Sequence, residues 1–497
     1  MTIHKTRHGR TLCLALILCG TFLGGCAAPW PGWNRGLTRR LDTILGRLSD
    51  TGAVYSARVV DLESGRELYA HEADLPLIPA SNMKILTSAA GLDLFGSEYT
   101  FNTYLALDGV DLWVIGTGDP GIGDPRLALE EGGFPLTVFD FWADELVRRE
   151  ITHITGALFH YDSALDDQRR HPSWLPDDVL QDYGAPVGGL NFHDNCIDFT
   201  VFPAEDGRPA FFQLMPPVYG VTVINECVSN TEQNAAVVRL PNLDRDIYHL
   251  FGSCAEKARL ESKPVCNPGA FFCDALRTHL AARGIVIDGP TQRSTTPLGG
   301  QIPPPAEQTL ATYATPVSAI LRRINTDSQN FFAEAFCKLT GREFGARQGS
   351  EAPGSWGAGE EALRDFLQRE EIDDDGLVFA DGSGLSRLNR VTARLISNVL
   401  AAMARHAERD AFIDSFAQGG RSGTLCERFK GYEGRVFAKS GYVAGVRALS
   451  GYVVTDSGRR LVFSIIYNGI PNDVKPFEEL QDEAVRTLAE YRMSSYE

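Results

Sequence analysis

The chain has 497 residues, of which 43% are hydrophobic and 22% are charged, an ordinary balance for a folded protein. This length exceeds what one hydrophobic core usually organises, so we expect two or three domains. The formal net charge of −17 argues against a nucleic-acid partner, which would require a basic face.

The N-terminal residues 1–26 are typical of a secretory signal peptide. Basic residues precede the apolar run TLCLALILCGTFLGG, which is too short for a membrane span. The run ends in LGGC, which resembles the lipobox of bacterial lipoproteins, so Cys26 is the expected lipidation site and mature N-terminus. Position 27 is not aspartate, so the resemblance to the known sorting rule favours a protein of the bacterial periplasm that is anchored to the outer rather than the inner membrane. The alternative is an ordinary signal with a chance cysteine.

Elements at both ends of the chain predict one domain. GLTRRLDTILGRLSD has helical spacing, AVYSARVVDLESGRELYAHE reads as a hairpin, and MKILTSAAGLDLFG reads as a helix that ends at Gly96. Near the C-terminus, RVFAKSGYVAGVRALSGYVVTDSGRRLVFSIIYNG predicts three strands and PFEELQDEAVRTLAEYR a closing helix. Residues 36–100 and 294–497 are therefore expected to form a mixed sheet flanked by helices, in the α/β (α+β) class.

Residues 101–293 are predicted to be an inserted region of one or two smaller, mainly β domains. This region has its own strand patterns, such as DLWVIGTG and CIDFTVFP, and its own helix patterns, such as TVFDFWADELVRRE. The Pro- and Gly-rich segment STTPLGGQIPPPAEQ marks the return to the first domain.

Ten cysteines occur, three of them within residues 1–26. The other seven are Cys196, Cys227, Cys254, Cys266, Cys273, Cys337 and Cys426. In an oxidising compartment some could pair, and an odd number leaves at least one unpaired or intermolecular. Cys254, Cys266 and Cys273 lie close together but without CxxC spacing, so we expect no zinc site. No other metal and no cofactor is expected.

The segment PASNMKIL places Ser81 and Lys84 on one face of a helix start, with Asn82 and Met83 as spacers. A lysine can act as a base only when its amine is neutral, which burial or a nearby cation can arrange. By itself, the pair is better explained by a capping serine and a solvated lysine.

Two further short motifs later in the chain support a catalytic interpretation of Ser81 and Lys84. Ser328-Gln329-Asn330 and Lys439-Ser440-Gly441 follow it in the chain. Each piece alone could be a helix cap or a strand bulge. In this order, however, the pieces make the three-part signature of penicillin-recognising serine enzymes.

The long gap between the first two motifs, from Ser81 to Ser328, distinguishes the chain from class A β-lactamases, in which this gap is much shorter. The chain resembles the class C low-molecular-mass penicillin-binding proteins, the D-alanyl-D-alanine carboxypeptidase/endopeptidase family. Segments such as GTGDPGI, YGAPVGGLNFHDN and DGSGLSR extend the likeness over nearly the whole mature chain. The resemblance implies a β-lactamase/transpeptidase-like domain with a large insertion, peptidoglycan stem peptides as substrates, and β-lactams as covalent inhibitors.

The resemblance also implies catalytic roles. Ser81 attacks the carbonyl between two D-alanines, Lys84 accepts its proton, and an acyl-enzyme forms. Ser328 could pass a proton to the leaving amine, and Asn330 could hold Lys84 and a substrate amide. Lys439 raises the local positive potential, which disfavours charging of Lys84 and attracts the substrate carboxylate.

Other residues are assigned to substrate binding. Ser440 would bind the carboxylate, Gly441 would allow close approach, and the Tyr442 N–H would complete the oxyanion hole with that of Ser81. The segment HPSWLPDDVLQDYGAP matches the loop that reads a diaminopimelate side chain. It places Asp178 at the amino end, with Tyr183 flanking it, and Arg387 could reach the carboxylate.

The chain departs from the family pattern at Gln329, commonly aspartate, at Ser440, commonly threonine, and at Ala444, glutamine in some relatives. These departures remove no catalytic atom. Two other interpretations remain open: a β-lactamase or D-amino-acid esterase with the same site, and a non-catalytic binding lipoprotein of the envelope. The sequence does not indicate an oligomeric state.

Overall fold

The computed structural model describes residues 35–242 and 244–492. Cys26 and the expected signal peptide lie outside the described residues. Within them, no helix is long and apolar enough to cross a membrane.

The helices are α1 (Arg35–Leu45), α2 (Met83–Phe95), α3 (Pro125–Glu130), α4 (Thr137–Arg148), α5 (Pro268–Ala282), α6 (Val317–Asn325), α7 (Asn330–Arg347), α8 (Trp356–Arg369), α9 (Ala393–Met403), α10 (Arg409–Asp414) and α11 (Lys475–Ala489). The strands are β1 (Val54–Asp61), β2 (Glu67–His71), β3 (Thr100–Asp108), β4 (Asp111–Gly116), β5 (His153–Ile154), β6 (Leu158–Tyr161), β7 (Cys196–Phe202), β8 (Phe211–Met215), β9 (Thr222–Asn225), β10 (Val228–Ser229), β11 (Ala236–Arg239), β12 (Ile247–Phe251), β13 (Ser253–Cys254), β14 (Ala258–Arg259), β15 (Lys263–Pro264), β16 (Val286–Ile287), β17 (Thr291–Ser294), β18 (Thr309–Pro316), β19 (Ala417–Gln418), β20 (Val436–Val443), β21 (Val446–Val454) and β22 (Arg460–Asn468).

The main sheet joins the two ends of the chain. Its strand order is β19-β20-β21-β22-β1-β2. The early hairpin and the three late strands therefore share one sheet, as predicted, because β1 pairs with β22 from Val54–Asn468 to Asp61–Leu461. All neighbouring pairs in this sheet are antiparallel, so the expected mixed pairing does not occur in it.

Helices cover both faces of the main sheet. Alternate residues of β22 point to opposite faces: Phe463 and Tyr467 join the core beneath α1 and α11, whereas Val462 and Ile466 join the core beneath α2, α7 and α9. Helix α2 is apolar on nearly every side and is buried from Met83 to Leu92, as expected for a central helix. The main sheet and α2 thus give the site a rigid support.

The intervening region has its own sheets and its own core. Its five-stranded sheet, β17-β6-β4-β3-β18, contains both parallel and antiparallel pairs. Smaller sheets are built from β5 and from β7 to β16, and a separate core contains Phe139, Trp142 and Phe272. The boundary at residue 293 remains a prediction, and the five-stranded sheet reaches across it to Pro316.

The seven cysteines from Cys196 to Cys426 are all free thiols. Within the described ranges, no group of three or more His, Cys, Asp or Glu side chains is arranged to hold a metal ion.

Candidate active site

Ser81 lies in a short 3-10 turn, Ala80–Asn82, that leads directly into α2. The turn is attached to the main sheet, because the amide Nδ2 of the buried Asn82 donates a hydrogen bond of 2.7 Å to Ser450 Oγ in β21. The interpretation of Asn82 as a spacer is therefore wrong. Ala80 has a left-handed φ of 47°, a conformation that non-glycine residues adopt only when their surroundings enforce it.

Lys84 lies on the first turn of α2 and is fully buried. Its Nζ is 3.0 Å from Ser81 Oγ, 2.6 Å from Asn330 Oδ1 and 2.9 Å from the Ser383 carbonyl oxygen. Burial lowers the pKa of Lys84 to about 7, and the carboxyl groups of Glu334 and Asp381 oppose this shift. A large fraction of Lys84 is therefore neutral near pH 7, as a base requires.

The second motif, Ser328 to Asn330, contacts the first motif through the hydrogen bond between Asn330 and Lys84. Asn330 begins α7, and Ser328 just before it has a left-handed φ of 63°. Asn330 Nδ2 donates to the Tyr183 carbonyl oxygen at 2.9 Å, which orients the amide so that Oδ1 faces Lys84. Gln329, a departure from the family pattern, is 3.4 Å from Asp194 Oδ2.

The third motif lies on β20. Lys439 is buried, and its Nζ donates to Ser328 Oγ and to the Ser440 carbonyl oxygen, each at 2.7 Å. Burial, followed by repulsion from Lys84, lowers the pKa of Lys439 well below its usual range. The lowered pKa of Lys84, by contrast, has its main cause in burial rather than in the Lys439 charge.

Gly441 allows strand β20 to approach the nucleophile turn. A Cβ atom at this position would be 3.0 Å from the Pro79 carbonyl oxygen and 3.2 Å from the Ser81 nitrogen. The Ser440 hydroxyl donates to Thr424 Oγ1 at 2.8 Å. Thr424 had not been singled out from the sequence.

A cavity of about 420 Å³ opens at Ser81. It is lined by Ser81, Asp178, Tyr183, Asn330, Gly384, Leu385, Arg387, Tyr442, Val443 and Ala444. The structure thus brings the predicted substrate-binding side chains of the inserted region to the same cavity as the nucleophile. The Tyr183 hydroxyl donates to Asp178 Oδ1 at 3.2 Å, and Arg387 Nη1 donates to the Ala444 carbonyl oxygen at 2.8 Å. Burial, reinforced by Asp178, raises the pKa of Tyr183 to about 12.

Sequence reasoning assigned no role to two buried carboxyl groups that shape the site, although Asp381 lies in the recognised segment DGSGLSR. Glu334 accepts the backbone N–H groups of Gly382 and Ser383, each at 2.9 Å, and burial raises its pKa to about 7. Asp381 accepts the backbone N–H groups of Gly384 and Ser386. These bonds hold the segment 381–387 so that the Ser383 carbonyl faces Lys84. The signal for Glu334 was an acid within the apolar run FFAEAF.

A serine hydroxyl beside a buried lysine defines the class of penicillin-recognising serine enzymes when a second serine, here Ser328 before α7, and a second lysine, here Lys439 on β20, complete the site. A family model described as D-Ala-D-Ala carboxypeptidase 3 (S13) matches residues 37–491. The chain belongs to this family and is a serine-type D-Ala-D-Ala carboxypeptidase.

Individual relatives agree with this assignment. The chain is 30% identical to a D-alanyl-D-alanine carboxypeptidase of Actinomadura sp. (strain R39), with 92% of this chain and 85% of the relative covered. It is 24% identical to the carboxypeptidase DacB of Haemophilus influenzae, over 79% and 81% of the two chains. The crystal structure of penicillin binding protein 4 from H. influenzae shares the fold, with a TM-score of 0.73, 21% identity and coverage of 91% and 99%.

Proposed function

We propose that this D,D-peptidase works through an acyl-enzyme on Ser81, with Lys84 as the base. The observation that carries the proposal is the environment of Lys84 Nζ. Two of its three close partners, Asn330 Oδ1 and the Ser383 carbonyl, can only accept hydrogen bonds. A neutral amine therefore directs its two N–H groups to these oxygens and its lone pair to the Ser81 hydroxyl.

The reaction then follows from the positions of the groups. Ser81 Oγ bonds to the carbonyl carbon between two D-alanines while its proton passes to Lys84 Nζ. The oxyanion is stabilised by the N–H groups of Ser81 and Tyr442, because strand β20 approaches the turn that carries Ser81 closely at Gly441. The C–N bond breaks, and the leaving amine takes a proton through Ser328, which lies beside Lys439. Water then hydrolyses the ester.

Substrate binding uses the rest of the cavity. On β20, next to the cavity-lining Tyr442, Lys439 and the Ser440 hydroxyl donate hydrogen bonds to the terminal carboxylate of a peptidoglycan stem peptide or cross-link. The bound carboxylate in turn favours the charged form of the Lys439 amine. We assign the ammonium of a diaminopimelate side chain to Asp178 and its carboxylate to Arg387. This assignment is supported by the position of both side chains in the lining of the Ser81 cavity. β-Lactams would enter the same site and acylate Ser81.

We further propose that the enzyme acts in the periplasm, attached to the outer membrane by lipid on Cys26. The support is the sequence LGGC after an apolar run. A Cys26→Ser variant that remained in the membrane fraction would contradict this proposal.

Intact mass spectrometry with a fluorescent penicillin tests the catalytic proposal. The wild-type protein should gain one lasting drug adduct, and Ser81→Ala should gain none, because it lacks the attacking oxygen. Rapid hydrolysis of the drug without an adduct would instead indicate a β-lactamase. No reaction with the drug or with a D-Ala-D-Ala peptide would indicate a non-catalytic protein.

Asp178→Ala tests the substrate assignment. We expect kcat/KM for a diaminopimelate-containing pentapeptide to fall roughly 10- to 100-fold, since a hydrogen bond to a charged group contributes about 1.5–3 kcal/mol. Turnover of the same peptide with an acetylated side-chain amine should fall much less. Equal losses on both peptides would remove the specificity role of Asp178.

A further inference from the structure

A loop of the inserted region, residues 171–178, is bonded directly to the segment 381–387. The indole Nε1 of the buried Trp174 donates to Asp381 Oδ2 at 2.8 Å. The hydroxyls of Ser173 and Ser386 are 2.6 Å apart. Trp174 also packs in a small apolar cluster with Leu385, which lines the Ser81 cavity.

The indole completes the hydrogen bonding of a fully buried carboxyl group. Asp381 Oδ1 accepts from the Gly384 N–H and Asn389 Nδ2, and Oδ2 accepts from the Ser386 N–H and Trp174 Nε1. Of these donors, only Trp174 comes from outside the segment 381–389. Without the indole, Oδ2 keeps only the Ser386 N–H as a donor. A buried carboxylate is less stable when it accepts fewer hydrogen bonds, so loss of the indole bond disturbs this segment in particular.

The serine link is directional. The Ser173 backbone N–H donates to His171 Nδ1, which marks this nitrogen as an acceptor. The Ser173 hydroxyl, 2.7 Å away, therefore donates to Nδ1 and accepts from Ser386. Burial lowers the pKa of His171, which favours the neutral ring that this chain of bonds needs.

Both linked segments lead to groups in the cavity. The Leu175 carbonyl oxygen, one residue after Trp174, accepts the Asp178 N–H at 3.0 Å, so the indole fixes the start of the turn that carries Asp178. The segment 381–387 ends in Arg387 and contains the Ser383 carbonyl that contacts Lys84. We infer that Trp174 is a positioning residue that sets Asp178 relative to Arg387 and thereby the recognition of a substrate side chain bearing both an ammonium and a carboxylate. This inference rests on the proposed substrate assignment.

Trp174→Phe tests it, because phenylalanine retains an aromatic ring but cannot donate. The matched control is Trp142→Phe, since Trp142 is also buried but its Nε1 has no hydrogen-bond partner among the described residues. For the diaminopimelate pentapeptide, Trp174→Phe should lower kcat/KM about tenfold, mainly through KM, in line with loss of a hydrogen bond to a charged group. The loss on the peptide with an acetylated side-chain amine should be several times smaller, and Trp142→Phe should alter neither.

Penicillin acylation of the wild-type protein distinguishes a failure of the proposed function from a failure of the positioning role. Absence of an adduct on the wild type would overturn the proposed function itself. The positioning role alone would be overturned if the wild type forms a normal adduct and Trp174→Phe lowers kcat/KM equally for both peptides. It would also be overturned if Trp174→Phe lowers kcat/KM for neither peptide. If Trp174→Phe does not fold, Ser173→Ala carries the test, because it breaks the hydroxyl link and leaves the indole in place. It should show the same unequal loss, and equal losses would overturn the inference.

Discussion

At the scale of single residues, the charge on Lys84 decides whether Ser81 can react. Because burial lowers the pKa of Lys84 to about 7, its amine loses a proton as the pH rises through 7 and becomes a base. We expect the rate constant for acylation by a fluorescent penicillin to rise with pH across this range and to fall away below it. A rate constant that does not change between about pH 5 and about pH 9, which is roughly two units on either side of this pKa, would exclude Lys84 as the base.

The contact between Lys84 and Asn330 gives a sharper test. Asn330→Asp places a carboxylate 2.6 Å from Nζ, which stabilises the ammonium form. The midpoint of the pH profile should then move upward by about one unit or more. Asn102→Asp, which adds the same charge in strand β3 away from the cavity, should leave the midpoint in place. An unshifted midpoint in Asn330→Asp would contradict the assignment.

At the scale of elements, the segment 381–387 packs on the nucleophile turn through Gly384. Its φ is 84°, and a Cβ atom there would lie 1.8 Å from the Ala80 carbonyl oxygen. Gly384→Ala must therefore displace the turn that carries Ser81. We expect penicillin acylation to slow by about a hundredfold, the effect of misplacing a reacting group by roughly 1 Å.

Gly458→Ala is the matched control for this substitution. Gly458 has a similar φ of 80°, but a Cβ atom there meets nothing within 4 Å. Both variants bear the cost of a left-handed alanine, about 1 kcal/mol, whereas only Gly384→Ala should lose acylation. Similar acylation rates in the two variants would show that the turn does not depend on this packing.

The three motifs, and the strand β20 that carries the third motif, could be predicted from sequence because each is a local pattern. The bonds from Glu334 to the segment 381–387 and from Trp174 to Asp381 could not, since they join residues that only the folded chain brings together. The same holds for Asn82, whose partner Ser450 lies far along the chain. The antiparallel pairing of the main sheet was also missed, because strand patterns give the presence of strands and not their direction.

At the scale of the whole molecule, a buried ion pair joins α6 to the region before α3. Arg323 donates to Asp124 Oδ2 through Nε at 3.0 Å and Nη2 at 2.7 Å, and Asp124 is fully buried. Asp124→Ala removes both of these bonds from Arg323, which keeps Asp327 as a partner at 2.8 Å, and it also removes the side-chain cap of α3. The two losses together should cost about 2–4 kcal/mol of unfolding free energy. Urea unfolding followed by circular dichroism measures the loss.

An exposed ion pair provides the comparison. Arg47 and Glu483 bond at 2.9 Å with side chains that are 50% and 45% exposed. Glu483→Ala should therefore cost less than about 1 kcal/mol, because solvent screens the pair. Equal losses for Asp124→Ala and Glu483→Ala would show that the buried pair does not tie the two regions together.

The pairing of β1 with β22 has a consequence for the order of folding. The hairpin β1–β2 lies near the start of the chain, but its partner strand β22 lies about four hundred residues later, as the pairing of Val54 with Asn468 shows. Closing so long a loop is slow, whereas the sheets between residues 100 and 316 pair over shorter separations. We therefore expect the inserted region to be protected from protease before the hairpin during refolding, so that Ser81 gains its reactivity only in the last stage. Simultaneous protection of both would contradict this order.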